Sequence, residues 1–156
     1  KKHPTYQPKS KEELRKILKK YENVWVGSGK VGGVKVRYMA LPLIEIDVSG
    51  IKDLSYVFCS SKRIEKCVSR VEDFRGIEYW DVSGVENLNR AFMGSKINID
   101  LKKWSVKNVK DFYEAFAQTP FMQDISKWKI KEGANVERVF FDSALEREDR
   151  LPKWAE

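Results

Sequence analysis

The stretch 80–92 reads W-D-V-S-G-V-E-N-L-N-R-A-F, and two later stretches follow the same pattern. Residues 104–116 read W-S-V-K-N-V-K-D-F-Y-E-A-F, and residues 128–140 read W-K-I-K-E-G-A-N-V-E-R-V-F. The tryptophans that open these stretches stand 24 residues apart, and the phenylalanines that close them keep the same step. A period of this length is typical of repeat proteins, in which each unit buries its apolar side against its neighbours. The sequence therefore predicts a solenoid.

A weaker copy lies upstream, and a half-copy ends the chain. Residues 46–51 read I-D-V-S-G-I, which matches W-D-V-S-G-V at 80–85, but the step between them is 34 residues. The extra residues form an insert at 59–75, predicted as either a long loop or an extra helical turn. The half-copy is L-P-K-W at 151–154, where a fifth strand would begin. Pro152 would close the sheet edge there, because proline lacks the amide that another strand needs.

Each copy changes its apolar period halfway. Apolar and polar residues alternate around Trp80 and Val82, which is typical of a short strand with one buried face. Val85, Leu88 and Phe92 then follow a helical spacing. The predicted fold is α/β, a leucine-rich-repeat-like solenoid of about four strand–helix repeats over 41–156. The periodic aromatic residues are predicted to form its core rather than a cofactor site.

Residues 1–40 are predicted to form an N-terminal cap with a polar tail, a helix and a β-hairpin. Ser10 and Glu13 fit a capping box, and the apolar residues after them form one stripe through Tyr21. The glycine-rich stretch 27–32 reads G-S-G-K-V-G and fits the dinucleotide fingerprint. A β-branched, alternating run follows it instead of a helix, so a hairpin turn is the better interpretation.

Two motifs carry a resemblance to a known family. W-D-V-S-x-V-x-N-L-x-x-A-F at 80–92, with F-x-x-D-I-S-x-W at 121–128, resembles the BspA-like leucine-rich repeat family, which includes tandem repeats of mycoplasma surface lipoproteins. The opening His3-Pro4 and K-E-E-L at 11–14 resemble the capping region of its short members. This resemblance implies a leucine-rich-repeat fold and a surface or interaction protein without catalytic activity.

Composition limits the chemistry that is available. The 156 residues fit one domain with a net charge of +7, and no apolar run approaches the roughly 20 residues that span a bilayer. His3 is the only histidine and lies in the predicted tail, so we expect no enzyme, no metal and no cofactor. A cryptic enzyme would need a deep pocket with shifted pKa values. Cys59 and Cys67 are interpreted as two thiols, with a disulfide as the alternative.

The compartment stays open at this point, and a monomer is expected. No signal-peptide core is present at the start of the chain as given, which favours the cytoplasm. The family resemblance instead favours the cell surface or secretion, if an export signal has been removed.

The predicted binding surface is the outer face of the sheet, whose charge passes from acidic to basic along the repeats. Its acidic end contains Asp47, Tyr79 and Asp81. Its basic end contains five lysines: Lys103, Lys107, Lys127, Lys129 and Lys131. Like charges on neighbouring strands repel, which an anion-facing site explains. Lysines also protect exposed edge strands from aggregation, and that explanation is equally open.

These features predict a non-catalytic protein-binding module whose partner carries an acidic patch, either adhesin-like or of an inhibitor or immunity type. Complementary charge mainly raises the association rate and the specificity of such a contact. The alternative is a nucleic-acid or other polyanion binder that uses the basic C-terminal strands, although few exposed aromatic residues are available for base stacking. The basic insert is either a binding loop or a solvated linker.

Overall fold

The computed structural model describes residues 5–22, 24–39 and 42–156. Helix α1 spans Lys11–Tyr21, strands β1 and β2 span Trp25–Val31 and Val34–Met39, and helix α2 spans Ala144–Arg147. Three short 3-10 turns lie at Leu43–Glu45, Ile77–Tyr79 and Lys153–Ala155. His3 in the predicted tail and the predicted cap boundary at 40/41 lie outside the described residues.

The predicted N-terminal helix is confirmed, with its start where the capping box puts it. The Ser10 hydroxyl accepts the Glu13 amide at 3.2 Å, and the Glu13 carboxylate reaches back to the Lys9 amide at 2.6 Å. The Ser10 bond satisfies an amide that the first helical turn leaves without a partner, and the Glu13 bond holds the residue before the N-cap. Leu14 and Leu18 are buried in the main core, so one face of α1 is docked.

The predicted hairpin is also confirmed. β1 and β2 pair antiparallel, from Trp25 opposite Met39 to Val31 opposite Val34. Gly32 and Gly33 form the turn with φ values of 56° and 83°, which favour glycine because they lie in the left-handed region. The G-S-G-K-V-G stretch therefore connects a strand to a strand, and the nucleotide fingerprint lacks the helix N-terminus that it needs.

The predicted solenoid of strand–helix repeats is wrong. The two-stranded β1–β2 sheet is the only sheet in the described part of the chain. Residues 46–143 contain no β-strand and no α-helix, and consist of turns, bends and irregular loops with one 3-10 turn. The leucine-rich-repeat fold is therefore not supported.

Left-handed residues explain why the helical spacing does not produce helices. Tyr56, Arg90, Glu114 and Arg138 occupy equivalent places in the four copies and have φ values of 51–64°. A residue in this left-handed conformation breaks an α-helix. Non-glycine residues adopt the conformation rarely, so the residue types at these positions do not predict it. The short alternating stretches are likewise interrupted: the Ser83 amide donates to Asp81 Oδ1 at 3.0 Å, which closes a turn directly after Trp80.

The 24-residue register of the sequence nevertheless recurs in the packing. Isolated parallel bridges connect Asp53 to Asn87, Asn87 to Asp111 and Asp111 to Asn135. Alternate amides of residues 54–60 donate to alternate carbonyls of residues 87–93 at 2.8–3.0 Å. The corresponding bonds from 88–94 to 111–117 are 2.8–2.9 Å long. Each turn-rich segment is thus hydrogen-bonded to the next, which satisfies backbone groups that no regular element pairs.

Each of the four tryptophans from Trp80 onward is hydrogen-bonded to the preceding segment. In each case the indole Nε1 donates, at 2.8–3.0 Å, to the backbone carbonyl of the preceding segment that lies three residues before the position equivalent to the tryptophan. The pairs are Trp80 with Leu43, Trp104 with Ile77, Trp128 with Leu101, and Trp154 with Ile125. The prediction that the aromatic residues form the core is confirmed, because Trp80, Trp104 and Trp128 are at most 6% exposed. A buried indole needs such an acceptor to avoid the cost of an unpaired polar group.

A row of phenylalanines runs through the centre of this core. The rings of Phe58, Phe92, Phe116 and Phe140 stack in sequence, with centroids 5.4, 5.2 and 5.6 Å apart. Burial of one such ring contributes roughly 1.5–3 kcal/mol, and aromatic pairing adds about 0.5–1.5 kcal/mol per pair. The row ties the segments together from residue 58 to residue 140.

A row of charges runs along the left-handed positions. The Glu114 carboxylate is buried between two guanidinium groups: Arg90 Nε lies 2.8 Å from one oxygen and Arg138 Nε lies 2.9 Å from the other. Arg90 also donates to the Tyr56 hydroxyl at 3.2 Å. Because its charge is compensated on both sides, the carboxylate can remain buried.

The insert and the chain end differ from the strand-based prediction. Residues 59–75 form a loop closed by one antiparallel bridge between Ser60 and Val68, so the loop alternative is confirmed. The predicted fifth strand at 151–154 is wrong. Pro152 instead precedes the 3-10 turn Lys153–Ala155, and the Trp154 ring stacks on Trp128 at 5.9 Å.

Candidate interaction surface

The candidate interaction surface consists of residues close in sequence to the buried tryptophans and to the equivalent Ile46: Asp47, Tyr79, Asp81, Lys103, Lys107, Lys127, Lys129 and Lys131. Each indole is directed into the core, so its chain neighbours lie on the outer turns. Tyr79, Asp81 and the five lysines are exposed, whereas Asp47 is half-buried. Because these residues belong to turns, the predicted binding face is not the face of a sheet. The edge-strand explanation for the lysines loses its basis for the same reason.

The two aspartates of the acidic end hold their own turns. Asp47 Oδ1 accepts the Ser49 amide at 2.9 Å, and Asp81 Oδ1 accepts both the amide and the hydroxyl of Ser83, at 3.0 and 2.6 Å. The Ser83 hydrogen bonds hold the pKa of Asp81 below its usual range, and the nearby Lys107 ammonium adds to this effect. Asp81 therefore stays ionised and carries a fixed negative charge. Both of its hydrogen bonds use Oδ1, so a partner would approach the other oxygen.

Tyr79 lies beside Ile44, an exposed apolar residue. Ile44 alternates with Ile46 and Val48, a pattern typical of a strand with one buried face, but it is 51% exposed because the 3-10 turn Leu43–Glu45 replaces the strand. Tyr79 is 72% exposed. Together they line a depression of about 400 Å³, whose other walls include Arg75 and Glu78. An alternating sequence gives no signal for a 3-10 turn, so the exposure of Ile44 beside Tyr79 could not be predicted.

The five lysines have no partner within the described ranges. No ion pair or side-chain hydrogen bond involves Lys103, Lys107, Lys127, Lys129 or Lys131, whereas Lys102 and Lys110 are paired with Asp100 and Glu86. Outer turns of neighbouring segments also touch, since the Asn108 side-chain amide donates to the Ser83 carbonyl at 2.7 Å. The candidate surface thus combines unpaired ammonium groups with a fixed carboxylate and an exposed phenol.

Stacking partners for nucleic-acid bases are few on this surface. Tyr113 is half-buried, and the Arg90 guanidinium lies 5.2 Å from the centroid of its ring. Tyr79 remains the one strongly exposed ring among the residues that the structure describes. Single-stranded nucleic acids are usually held by several stacking rings beside a basic groove.

The cysteines of the insert are joined. Cys59 and Cys67 form a disulfide with their Cα atoms 4.6 Å apart, so the interpretation as two thiols is wrong and the alternative is correct. The bond is buried against Met93 and Ala117. Backbone hydrogen bonds from Ser61 to Cys67 and from Ser69 to Cys59 hold the same loop. The spacing of eight residues allowed this pairing without requiring it.

No group of three or more histidine, cysteine or acidic side chains is suited to hold a metal ion in 5–22, 24–39 and 42–156. Within these residues, no helix has the length and apolar character needed to cross a bilayer.

These observations define a turn-rich protein whose successive segments pack on one another, with steps of 34, 24 and 24 residues between the bridged positions Asp53, Asn87, Asp111 and Asn135. Residues 35–154 match the family described as Mycoplasma protein of unknown function, DUF285. The match covers most of the chain, which therefore belongs to this family. No curated protein and no solved structure matches it.

Proposed function

We propose that the chain is a non-catalytic protein-binding module, and that the candidate interaction surface contacts an acidic patch on a partner protein. The observation that supports this most directly is the set of five exposed lysines, which form no ion pair and no side-chain hydrogen bond within the described residues. Unpaired like charges on adjacent turns raise the energy of the isolated protein, and an anionic partner would relieve that repulsion. The fixed Asp81 carboxylate would orient the partner, since complementary charge favours one arrangement over others.

An exported or surface-exposed location is part of this proposal. Disulfides persist in oxidising surroundings and are rare where thiols are kept reduced, so the Cys59–Cys67 bond favours the outside of the cell. The resemblance of the W-D-V-S segments to BspA-like surface proteins points the same way. This favours the adhesin-like role over the intracellular inhibitor or immunity role.

The test is affinity capture from the soluble and membrane fractions of the source cells, with two variants of equal charge change. Lys127→Glu, Lys129→Glu and Lys131→Glu together alter the candidate surface. Lys30→Glu, Lys35→Glu and Lys52→Glu together are the control, because these exposed lysines lie elsewhere. We expect one protein to be captured by the wild type and the control variant and missed by the surface variant.

Two results would contradict the proposal. Equal capture by both variants would show that binding does not depend on the lysines at 127, 129 and 131. Recovery of material that a nuclease removes would support the polyanion alternative, which the unpaired lysines also favour. Binding of that kind should weaken steeply with salt, because each neutralised phosphate releases counterions.

A further inference from the structure

A second surface feature, a groove between α1 and the disulfide-closed insert, shares no residue with the candidate interaction surface. It has a volume of about 560 Å³, within the range of roughly 300–1,000 Å³ typical of ligand sites. One wall is formed by one side of α1, and the other by residues of the insert. The lining residues are Arg15, Lys16, Leu18, Lys19, Glu22, Val57, Val68, Ser69, Arg70 and Val71.

The floor of the groove is apolar. Leu18, Val57 and Val71 are at most 6% exposed and close the bottom as part of the main core. Val68 is 65% exposed although it is aliphatic. An aliphatic side chain beside an apolar floor gives a partner side chain a surface to pack on, with a gain of about 25 cal/mol per Å² buried.

The rim is cationic. Four basic side chains line the groove against a single carboxylate, that of Glu22. Lys16, Lys19 and Arg70 are exposed, and they form no ion pair in the described part of the chain. A partner segment that carries carboxylates therefore complements the rim.

The two walls of the groove are held together by bonds within the chain itself. The Arg15 guanidinium donates to the Lys66 carbonyl at 2.8 Å and to the Tyr56 carbonyl at 3.4 Å, which ties α1 to the insert. The disulfide closes residues 59–67, and the Ser69 amide donates to the Cys59 carbonyl at 3.0 Å, which holds the wall residues that follow Cys67. A site that is already ordered loses little conformational entropy on binding, which favours affinity.

We infer that this groove binds an acidic peptide segment of a partner protein, with an aliphatic side chain on the apolar floor and carboxylates on the basic rim. The lining contains no aromatic side chain. It therefore lacks the stacking platform that single-stranded nucleic acid requires, and a peptide fits better.

The test is a fluorescence anisotropy titration with three labelled probes: the peptide EELEELEE, its leucine-free counterpart EESEESEE, and oligothymidine. Lys16→Glu with Lys19→Glu alters the rim, and Lys30→Glu with Lys35→Glu is the control of equal charge change. We expect the rim variant to weaken binding of EELEELEE roughly tenfold or more, and the control variant to bind nearly as the wild type does. Val68→Ser should weaken it severalfold without affecting the fold, since this side chain is exposed.

Several outcomes would overturn the inference. These are equal weakening by both lysine pairs, equal affinity for the two peptides, tighter binding of oligothymidine, or no binding of EELEELEE by the wild type. The variant with Lys127, Lys129 and Lys131 replaced should retain EELEELEE. Failure of the groove and failure of the candidate interaction surface are therefore distinguishable.

Discussion

Removal of the Cys59–Cys67 bond should lower stability by an amount that follows from its position. The bond closes a loop with a sequence separation of eight. Chain-entropy theory gives about 2.5 kcal/mol at 25 °C for a loop of this length, because the cross-link removes open conformations from the unfolded chain. In a protein of this size, each kcal/mol of lost stability lowers Tm by about 2–4 °C. We therefore expect reduction to lower Tm by roughly 5–10 °C.

Thermal unfolding followed by circular dichroism, with and without a phosphine reductant, measures this shift. The matched control carries Cys59→Ala and Cys67→Ala. Alanine is the suitable replacement because both positions are buried, at 0% and 4% exposure, and a serine hydroxyl there would lack a partner. The control should unfold near the Tm of the reduced wild type and should not respond to reductant.

The reasoning is refuted if reductant leaves the wild-type Tm unchanged while thiol titration shows that the bond has been broken.

A second measurement bears on the proposed location. Protein isolated from the source cells under acid quenching should contain no free thiol in the unfolded state. Two free thiols per chain would mean that the native compartment is reducing and would remove the main support for export.

Three further predictions concern the backbone and the charges. Gly94→Ala should cost at least about 1–3 kcal/mol in urea unfolding, because φ is +72° and a Cβ would overlap the Ser60 carbonyl. Gly133→Ala is its control, with φ +80° but no atom within 4 Å, and an equal loss would exclude the clash as the cause. Glu114→Ala should cost about 1–3 kcal/mol by the same assay, because two partly exposed guanidinium groups lose their partner; an unchanged midpoint would show that water replaces it. Hydrogen bonds from the Ser83 amide and hydroxyl lower the pKa of Asp81 below 3.8. The stabilising effect of the Asp81 charge should therefore be complete above about pH 5 and fall as pH drops through the folded-state pKa. A Tm that is higher at pH 3 than at pH 6 would contradict this sign.

The sequence predicted what packs together and failed on the backbone that performs the packing. Periodic Trp and Phe positions identify the core because burial depends on side-chain chemistry, and the row from Phe58 to Phe140 follows the predicted register. The left-handed conformation of Arg90 and Glu114 gives no such signal. Arginine and glutamate rarely adopt this conformation, which is maintained here by backbone hydrogen bonds to the next segment.

The candidate interaction surface was predictable to the same extent. Exposure of the residues beside each tryptophan follows from burial of the indole, whatever the backbone between them does, and so Tyr79 and the lysines were found. Ile44 was missed because its exposure depends on a 3-10 turn, and the groove was missed because it joins α1 to a loop about fifty residues away in the sequence. Single-sequence patterns identify local faces, whereas a site between distant segments requires the tertiary contacts.

The framework and the outer turns depend on different groups, and this separation bears on function. Segment-to-segment bonds use backbone amides, indole N–H groups and buried rings, whereas the lysine ammonium groups at 103, 107, 127, 129 and 131 take no part in them. Substitutions at these five lysines can therefore change the charge presented to a partner without removing a hydrogen bond of the core. A core that does not depend on these side chains would suit the proposed binding role, because recognition can change while the packing stays constant.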